Sequence, residues 1–357
     1  MTHMVKTAYI HADLYASYNL GPRHPLQQTR LIDICETLHN QGVFDENLVL
    51  VQPSPCGESD VLSVHDAEYI EIVKLASLGE SHLPLSRYGL GPGDTPAFAG
   101  MWENGLLYCG GSMRCAELVA DGTYKRAISF AGGLHHAHHD HASGFCILSD
   151  IAIAINTLKT NGHSKVLYVD IDVHHGDGVE ALFRSDPNVL TLSFHESGAW
   201  LFPGTGNVHD RGSKYAEDSV WNVPFAPNTG GDVWCRTIPD VTSYLMQMFS
   251  PDAIVLQLGA DALAEDPLGH LVMTRWEWVQ TVDTLLHIFG DKPIVILGGG
   301  GYCRAAVVDV WSRVTLLAAG RPWHTGLELE QSSSTSDALD FHRSTMRYLH
   351  EQRGLQL

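Results

Sequence analysis

Positive charge is scarce in this sequence. Its 357 residues carry 22 Lys and Arg against 41 Asp and Glu, a formal net charge of −19 with histidine neutral. Nucleic acid binding driven by the overall field is therefore not expected. The 7 cysteines include no CxxC pair and no regular framework, which argues for free thiols in a reducing compartment rather than a disulfide scaffold. No apolar run approaches the ~20 residues needed to span a bilayer. The first residues, Met1 to Lys6, lack the charged-then-apolar order of a signal peptide. A cytoplasmic protein without membrane contact is the expectation. Missing too are a Pro/Gly/Ser-rich divider and any internal repeat. Residues 1–357 therefore read as one domain, with a core over about 8–320 and a helical extension over 321–357.

What is present is apolar material and histidine. Hydrophobic residues make up 44% of the chain, enough for a sizeable core. Short Val/Ile/Leu-rich runs at 126–131, 166–173, 189–195, 253–259 and 293–298 predict strands. Helical periodicity falls at 25–40, 66–78, 147–159, 235–249, 275–289 and 304–319, with a last helix near 338–350. Strands that are apolar throughout and alternate with helices predict an α/β fold, a parallel sheet covered on both faces. Ligands of such sheets gather beyond the carboxyl ends of the strands. Here those ends carry His135-His136, Asp172-Val-His174, Ser193-Phe-His195, Gly259-Ala-Asp261 and Gly298-Gly-Gly-Gly-Tyr302.

The stretch Val166-Leu-Tyr-Val-Asp170-Ile-Asp172-Val-His174 predicts one strand with Asp170, Asp172 and His174 on the same face. A catalytic metal wants about three protein ligands and an open position. Asp172 and His174 supply two, and Asp261, at the end of its own apolar strand, is the choice for the third over a helix-capping role. Two carboxylates and an imidazole cancel a divalent charge, so such an ion acidifies water less than a three-histidine site does. A separate base is then needed, and His135-His136 fits, with Asp170 and Asp177 as candidates to orient the two rings. His138, His139 and His141 read as a solvated loop, and His195 as a satisfied core or rim histidine. The run Gly298–Gly301 lacks the phosphate-binding GxxxxGK and GxGxxG patterns. It reads instead as close backbone passage presenting the Tyr302 phenol to a cavity, against the plainer possibility of a packed tyrosine over a tight turn. Phe145 and Phe202 are candidates for an apolar slot, though core packing is the commoner fate of phenylalanine.

These motifs, with Gly133-Leu-His-His-Ala137, Ala142-Ser-Gly-Phe-Cys146, Phe202-Pro-Gly-Thr-Gly206 and Asp266-Pro-Leu-Gly269, resemble the histone deacetylase family. The resemblance runs from Gly21-Pro-Arg-His24-Pro25 and Arg30 to about residue 320, and is nearest to class I members and bacterial acetoin-utilisation deacetylases. It implies an arginase/deacetylase-like open parallel eight-stranded sheet with helices on both faces. It implies Asp172, His174 and Asp261 on a divalent metal, zinc or iron(II). Catalytic roles would fall to His135 with Asp170, His136 with Asp177, and Tyr302 as polariser of the amide carbonyl. Phe145, Phe202 and Gly144 would line an acyl-lysine tunnel, Leu268 its rim, and Asp94 would bind substrate backbone amides. A potassium ion would use Asp170, Asp172, His174 and carbonyls near Ser193 and Phe194.

The implied activity is metal-dependent hydrolysis that removes acetyl or another short acyl group from the side-chain amine of lysine in a protein or peptide, with His136 as base. Two alternatives stay open. One is deacetylation of polyamines or other small N-acetyl amines, whose enzymes commonly show Pro-Pro-Gly-His-His where this chain has Ala131-Gly-Gly-Leu134. The other is a catalytically silent regulatory or binding protein on the same fold. The histidine-rich 138–141 stretch replaces a lysine-containing segment common in eukaryotic relatives, and the chain ends soon after the core. With the acidic charge, that makes assembly into a chromatin corepressor unexpected. Oligomeric state is left open.

Overall fold

A computed structural model of the chain describes residues 4–356. Met1, Thr2 and His3, on which the expectation about a signal peptide partly rests, lie outside the described residues, as does Leu357 at the end of the extension. Eight strands form one sheet: β1 (Thr7–Ile10), β2 (Leu48–Val51), β3 (Arg126–Ser129), β4 (Val166–Asp170), β5 (Val189–Glu196), β6 (Val220–Phe225), β7 (Ala253–Gln257) and β8 (Ile294–Leu297). Their order is β2-β1-β3-β8-β7-β4-β5-β6, and every neighbouring pair is parallel. All the ends that carry the unusual chemistry therefore point the same way.

Among the described residues ten α-helices accompany the sheet: α1 (Thr29–Asn40), α2 (Glu58–Leu62), α3 (Ala67–Ser77), α4 (Met101–Ala120), α5 (Asp150–Thr160), α6 (Asp177–Phe183), α7 (Gly231–Phe249), α8 (Arg275–Phe289), α9 (Arg304–Ala318) and α10 (Ser336–Arg353). The alternation of strand side chains divides the core in two. Val166 and Tyr168 of β4, with Ala253 and Val255 of β7, pack under α4, α5 and α6. Leu167, Val169, Ile254 and Leu256 face the opposite layer, built on α1, α7, α8 and α9. Each fully buried aliphatic side chain contributes roughly 1.5–3 kcal/mol by leaving water. That double burial keeps the central strands in register and fixes where their ends lie.

One expectation needs correction. The strand ends at Asp170, not at residue 173. Beyond it, side chains cap the backbone in steps. Asp172 N donates to Asp170 Oδ1 at 3.0 Å, and His174 N donates to Asp172 Oδ1 at 3.0 Å. The i, i+2 spacing serves a chain of side-chain-to-backbone turns, which Asp readily makes, rather than strand alternation. Helix α7 also starts at Gly231, four residues before the expected 235, and carries Pro239 within it. All seven cysteines are free. Among the described residues no helix is long and apolar enough to cross a membrane.

Candidate active site and metal centre

The ends of β4, β7, β8 and β3 bring the chemistry together. Asp172, His174 and Asp261 each offer one ligand atom, and the three atoms lie within 4.8 Å of one another. His174 Nδ1 stands 3.1 Å from Asp172 Oδ1 and 3.1 Å from Asp261 Oδ2. Both carboxylates are wholly buried, and His174 is 8% exposed. Burial and then Asp172 push Asp261 up to about 7. Burial works against a proton on His174, but Asp172 and Asp261 outweigh it and raise the imidazole to about 10. Two buried acids whose hydrogen bonds come from backbone amides, Gln257 and His174, with no lysine or arginine bonded to them, favour positive charge at one point, which is what a divalent cation would supply. The donor set fits such an ion.

The remaining oxygens of this trio are committed to the frame. Asp172 Oδ2 accepts from Gln257 Nε2 at 2.9 Å and from Gly300 N at 2.8 Å, while Asp261 Oδ1 accepts from Val173 N at 2.9 Å. A side chain at Gly300 would strike Asp261, its Cβ falling 1.9 Å from Oδ2. The glycine run is therefore a close backbone passage over the two acids. Arg30, buried and stacked on Trp311 at 4.9 Å, holds that run by donating to Gly299 O at 2.7 Å and Gly301 O at 2.6 Å. Asp266 Oδ2 accepts from Tyr302 N at 2.6 Å, and its Oδ1 accepts from Leu268 N at 3.0 Å. Neither Arg30 nor Asp266 was given a role by the sequence reasoning, although both fall within the motifs. An aspartate before proline is a signal for such a turn.

The two histidines stand side by side, ring centroids 4.0 Å apart, each with its own acid. His135 Nδ1 meets Asp170 Oδ2 at 2.7 Å, and His136 Nδ1 meets Asp177 Oδ1 at 2.6 Å. Asp170 also accepts from Tyr168 OH at 2.6 Å. Their environments push them apart. Burial opposes a proton on His135, but Asp170 and Asp172 raise it to about 9. Burial and the charge on His135 lower His136 to about 3, against the pull of Asp177. A cation beside Asp172 would draw both values down. Burial together with Asp261 and Asp172 holds the Tyr302 phenol well above its usual value, so it stays a donor.

Tyr302, His135 and His136 line one cavity of about 20 Å³ with Leu26, Leu134, Cys146 and Gly144. Phe145 meets Tyr302 edge-on at 5.8 Å, and Phe202 meets His136 edge-on at 5.0 Å. Gly144 lies against both His136 and Phe202. Phe202 is 42% exposed, so its contact with Gly144 reaches from the cavity toward solvent, while Leu268 is half-buried. Asp94 is exposed, and its carbonyl pairs with His24 Nε2 at 3.0 Å. The His24 ring packs edge-on against Phe145 at 4.4 Å. Ser193 lies opposite Asp170 in the β4–β5 register with Phe194 next to it, and its hydroxyl pairs with His195 Nδ1 at 2.9 Å. His195 is fully buried and also contacts Gly206 O at 3.0 Å, a satisfied core histidine. His175, to which no role was given, ties Thr205 to Glu180 at 2.9 Å on each side and so anchors the Phe202 loop. The 138–141 stretch departs from the expected solvated loop: only His139 is exposed, and His138 contacts Asp177.

Four known proteins or families share this arrangement of motifs or fold. The sequence profile of the histone deacetylase domain matches residues 24–318. The chain is 38% identical over 326 residues to the acetoin utilization protein AcuC of Bacillus subtilis, covering 90% of this chain and 82% of that protein. It is 34% identical over 341 residues to histone deacetylase clr6 of Schizosaccharomyces pombe, covering 94% of this chain and 81% of that one. The crystal structure of an HDAC homolog from Aquifex aeolicus superposes with a TM-score of 0.86 at 23% identity, covering 95% of this chain and 99% of that one. The fold is accordingly the arginase/deacetylase-like α/β fold, with its eight-stranded parallel sheet.

Proposed function

Because the chain belongs to the histone deacetylase family, we propose that its site hydrolyses the side-chain amide of acylated lysine in proteins or peptides. The observation that carries this reading is the convergence of two buried carboxylates and an imidazole within 4.8 Å, beside a histidine paired to its own acid. Asp172, His174 and Asp261 would hold a divalent ion, with zinc the first choice and iron(II) the alternative. When bound, that ion supplies Lewis acidity toward the amide carbonyl and lowers the pKa of a water.

The protein's own groups do the rest. Phe145, Phe202 and Gly144 guide an alkyl stem inward past Leu268 at the rim, and Asp94 receives backbone amides outside. Tyr302 donates its phenolic hydrogen bond to the oxygen that gains charge as the carbonyl becomes tetrahedral. His136 takes the proton of the attacking water, its ring aimed by Asp177, and returns a proton to the departing amine. His135, held by Asp170, acts electrostatically beside the reacting centre. A potassium ion at Asp170, Asp172, His174, Ser193 and Phe194 would brace the same strand ends. The absence of a Pro-Pro-Gly-His-His run and the hydrophobic Leu268 at the rim favour lysine over polyamine substrates.

The test is a panel of acetyl-lysine peptides, longer acyl-lysines, acetylspermidine and acetylputrescine, read with metal-replete protein. Acetyl-lysine peptide turnover is expected to lead the panel, and Tyr302→Phe to lower it by about a hundredfold or more. Metal-replete protein with no acyl-lysine turnover above the Tyr302→Phe control overturns the reading.

A further inference from the structure

The turn that follows the tandem histidines is built onto the acid that orients one of them. Asp177 uses both oxygens: Oδ1 pairs with His136 Nδ1 at 2.6 Å and Oδ2 with His138 Nε2 at 3.2 Å. A carboxylate rotates about its last bond over a broad range unless something grips its second oxygen. His138 is itself well held. Its ring stacks on that of His141, centroids 4.3 Å apart and planes 8° apart, and its backbone N–H donates to His141 O at 3.0 Å. His141 Nδ1 in turn meets Asp140 Oδ1 at 2.7 Å. The turn is pinned outside as well, with Asp66 N donating to His139 O at 2.8 Å and Ala142 N to Tyr88 O at 2.9 Å. With its side chain 19% exposed, His138 has the anchorage of a fixed part rather than a surface group.

We infer that His138 is a positioning residue for hydrolysis: by gripping Asp177 Oδ2 it fixes the carboxylate that aims His136. This rests on the amidohydrolase reading above. With Oδ2 released, Asp177 rotates and His136 loses its aim, so the step that needs a base slows while substrate binding does not. Glutamine is the conservative substitute, because its amide nitrogen can donate from near the place of the imidazole Nε2.

The experiment compares wild type, His138→Ala, His138→Gln, Asp177→Asn and the His138→Ala/Asp177→Asn double variant on an acetyl-lysine peptide. His138→Ala is expected to lower kcat about tenfold, the order of one hydrogen bond to a charged group. KM should stay within about twofold of wild type. His138→Gln should recover most of the loss. In the Asp177→Asn background the alanine change should cost less than about twofold, because the carboxylate it acts through is already gone. Unchanged kcat in His138→Ala, an equal loss in the alanine and glutamine variants, or the same loss in the Asp177→Asn background each overturns the inference. Imidazole proton exchange at His136 Nδ1, followed by nitrogen-15 NMR, needs no substrate. It should quicken in His138→Ala, and an unchanged rate overturns the inference even in a protein without turnover. Failure of the amidohydrolase reading shows differently, as wild-type turnover no greater than that of Tyr302→Phe.

Discussion

The two ends of the sheet are built on opposite principles. At the carboxyl end, Asp170, Asp172, Asp261, His135, His136 and His174 are each no more than 8% exposed and are held by one another and by backbone amides. At the amino end, the polar contacts are single pairs that stay partly in solvent. Lys159 pairs with Asp186, Asp252 accepts from Lys165 N at 2.9 Å, and Arg126 donates to Ala318 O at 2.9 Å. The amino end closes the layers with ordinary pairs worth little each. The carboxyl end buries charge that costs several kcal/mol per group unless it is compensated, and it concentrates that charge on one point. The difference shows where the fold carries chemistry and where it only closes.

The strongest way to break this contrast is to remove the charge that the carboxyl end compensates. Asp261→Asn keeps the size of the side chain and removes one of the two acids at the proposed metal centre. Bound metal, measured by elemental analysis, is expected to fall to a small fraction of one ion per chain. Turnover should drop by more than about a thousandfold. Prolonged chelation of the wild type should reproduce both losses and lower its thermal midpoint, since an ion bound only by the folded state stabilises it. Full metal content in Asp261→Asn would show that the acids are there for another reason.

A weaker test asks whether the carboxyl end depends on its supports. Asp150, fully buried at the start of α5, accepts from Gly133 N and Leu134 N at 2.9 Å each and from Ser112 Oγ at 2.5 Å. It clamps the two residues that lead into His135. Asp150→Ala strands two amides and opens a void, which should cost about 3 kcal/mol in chemical denaturation. Asp150→Asn, which keeps the shape, should cost less. Both should lower turnover without lowering metal content, because none of the proposed ligands Asp172, His174 and Asp261 is touched. Stability equal to wild type in Asp150→Ala would show the clamp to be dispensable.

How much of this was legible in the sequence follows the same divide. The buried central strands read as plain apolar runs, and the candidate site residues stood out because histidines and acids at strand ends are unusual. The remaining strands were not legible one by one. β1 and β2 have four residues each, and β6 contains Asn222 and Pro224. A proline is tolerated there because β6 is an edge strand. The eight-stranded count came from the resemblance rather than from the pattern. Helix α4 was hidden by Gly105, Gly110 and Gly111, which weaken helix propensity. At Gly110 a Cβ would fall 1.9 Å from Ser54 O, so close approach of a loop fixes that residue whatever the helix prefers. His138 escaped because its partner, Asp177, lies 39 residues away and only the fold joins them.

The smallest expected effect lies at the amino end. Lys159, near the end of α5, pairs with Asp186 just before β5, and both side chains are about a quarter exposed. Solvent screens such a pair, and ordering the long lysine offsets much of the attraction. Lys159→Ala should therefore lower stability by less than about 1 kcal/mol, and the deficit should shrink further in high salt. Turnover and metal content should match wild type. If the same substitution lowered turnover with stability intact, charge at the amino end would be coupled through α5 to Asp150 and the tandem histidines. The two ends of the sheet would then no longer be separable.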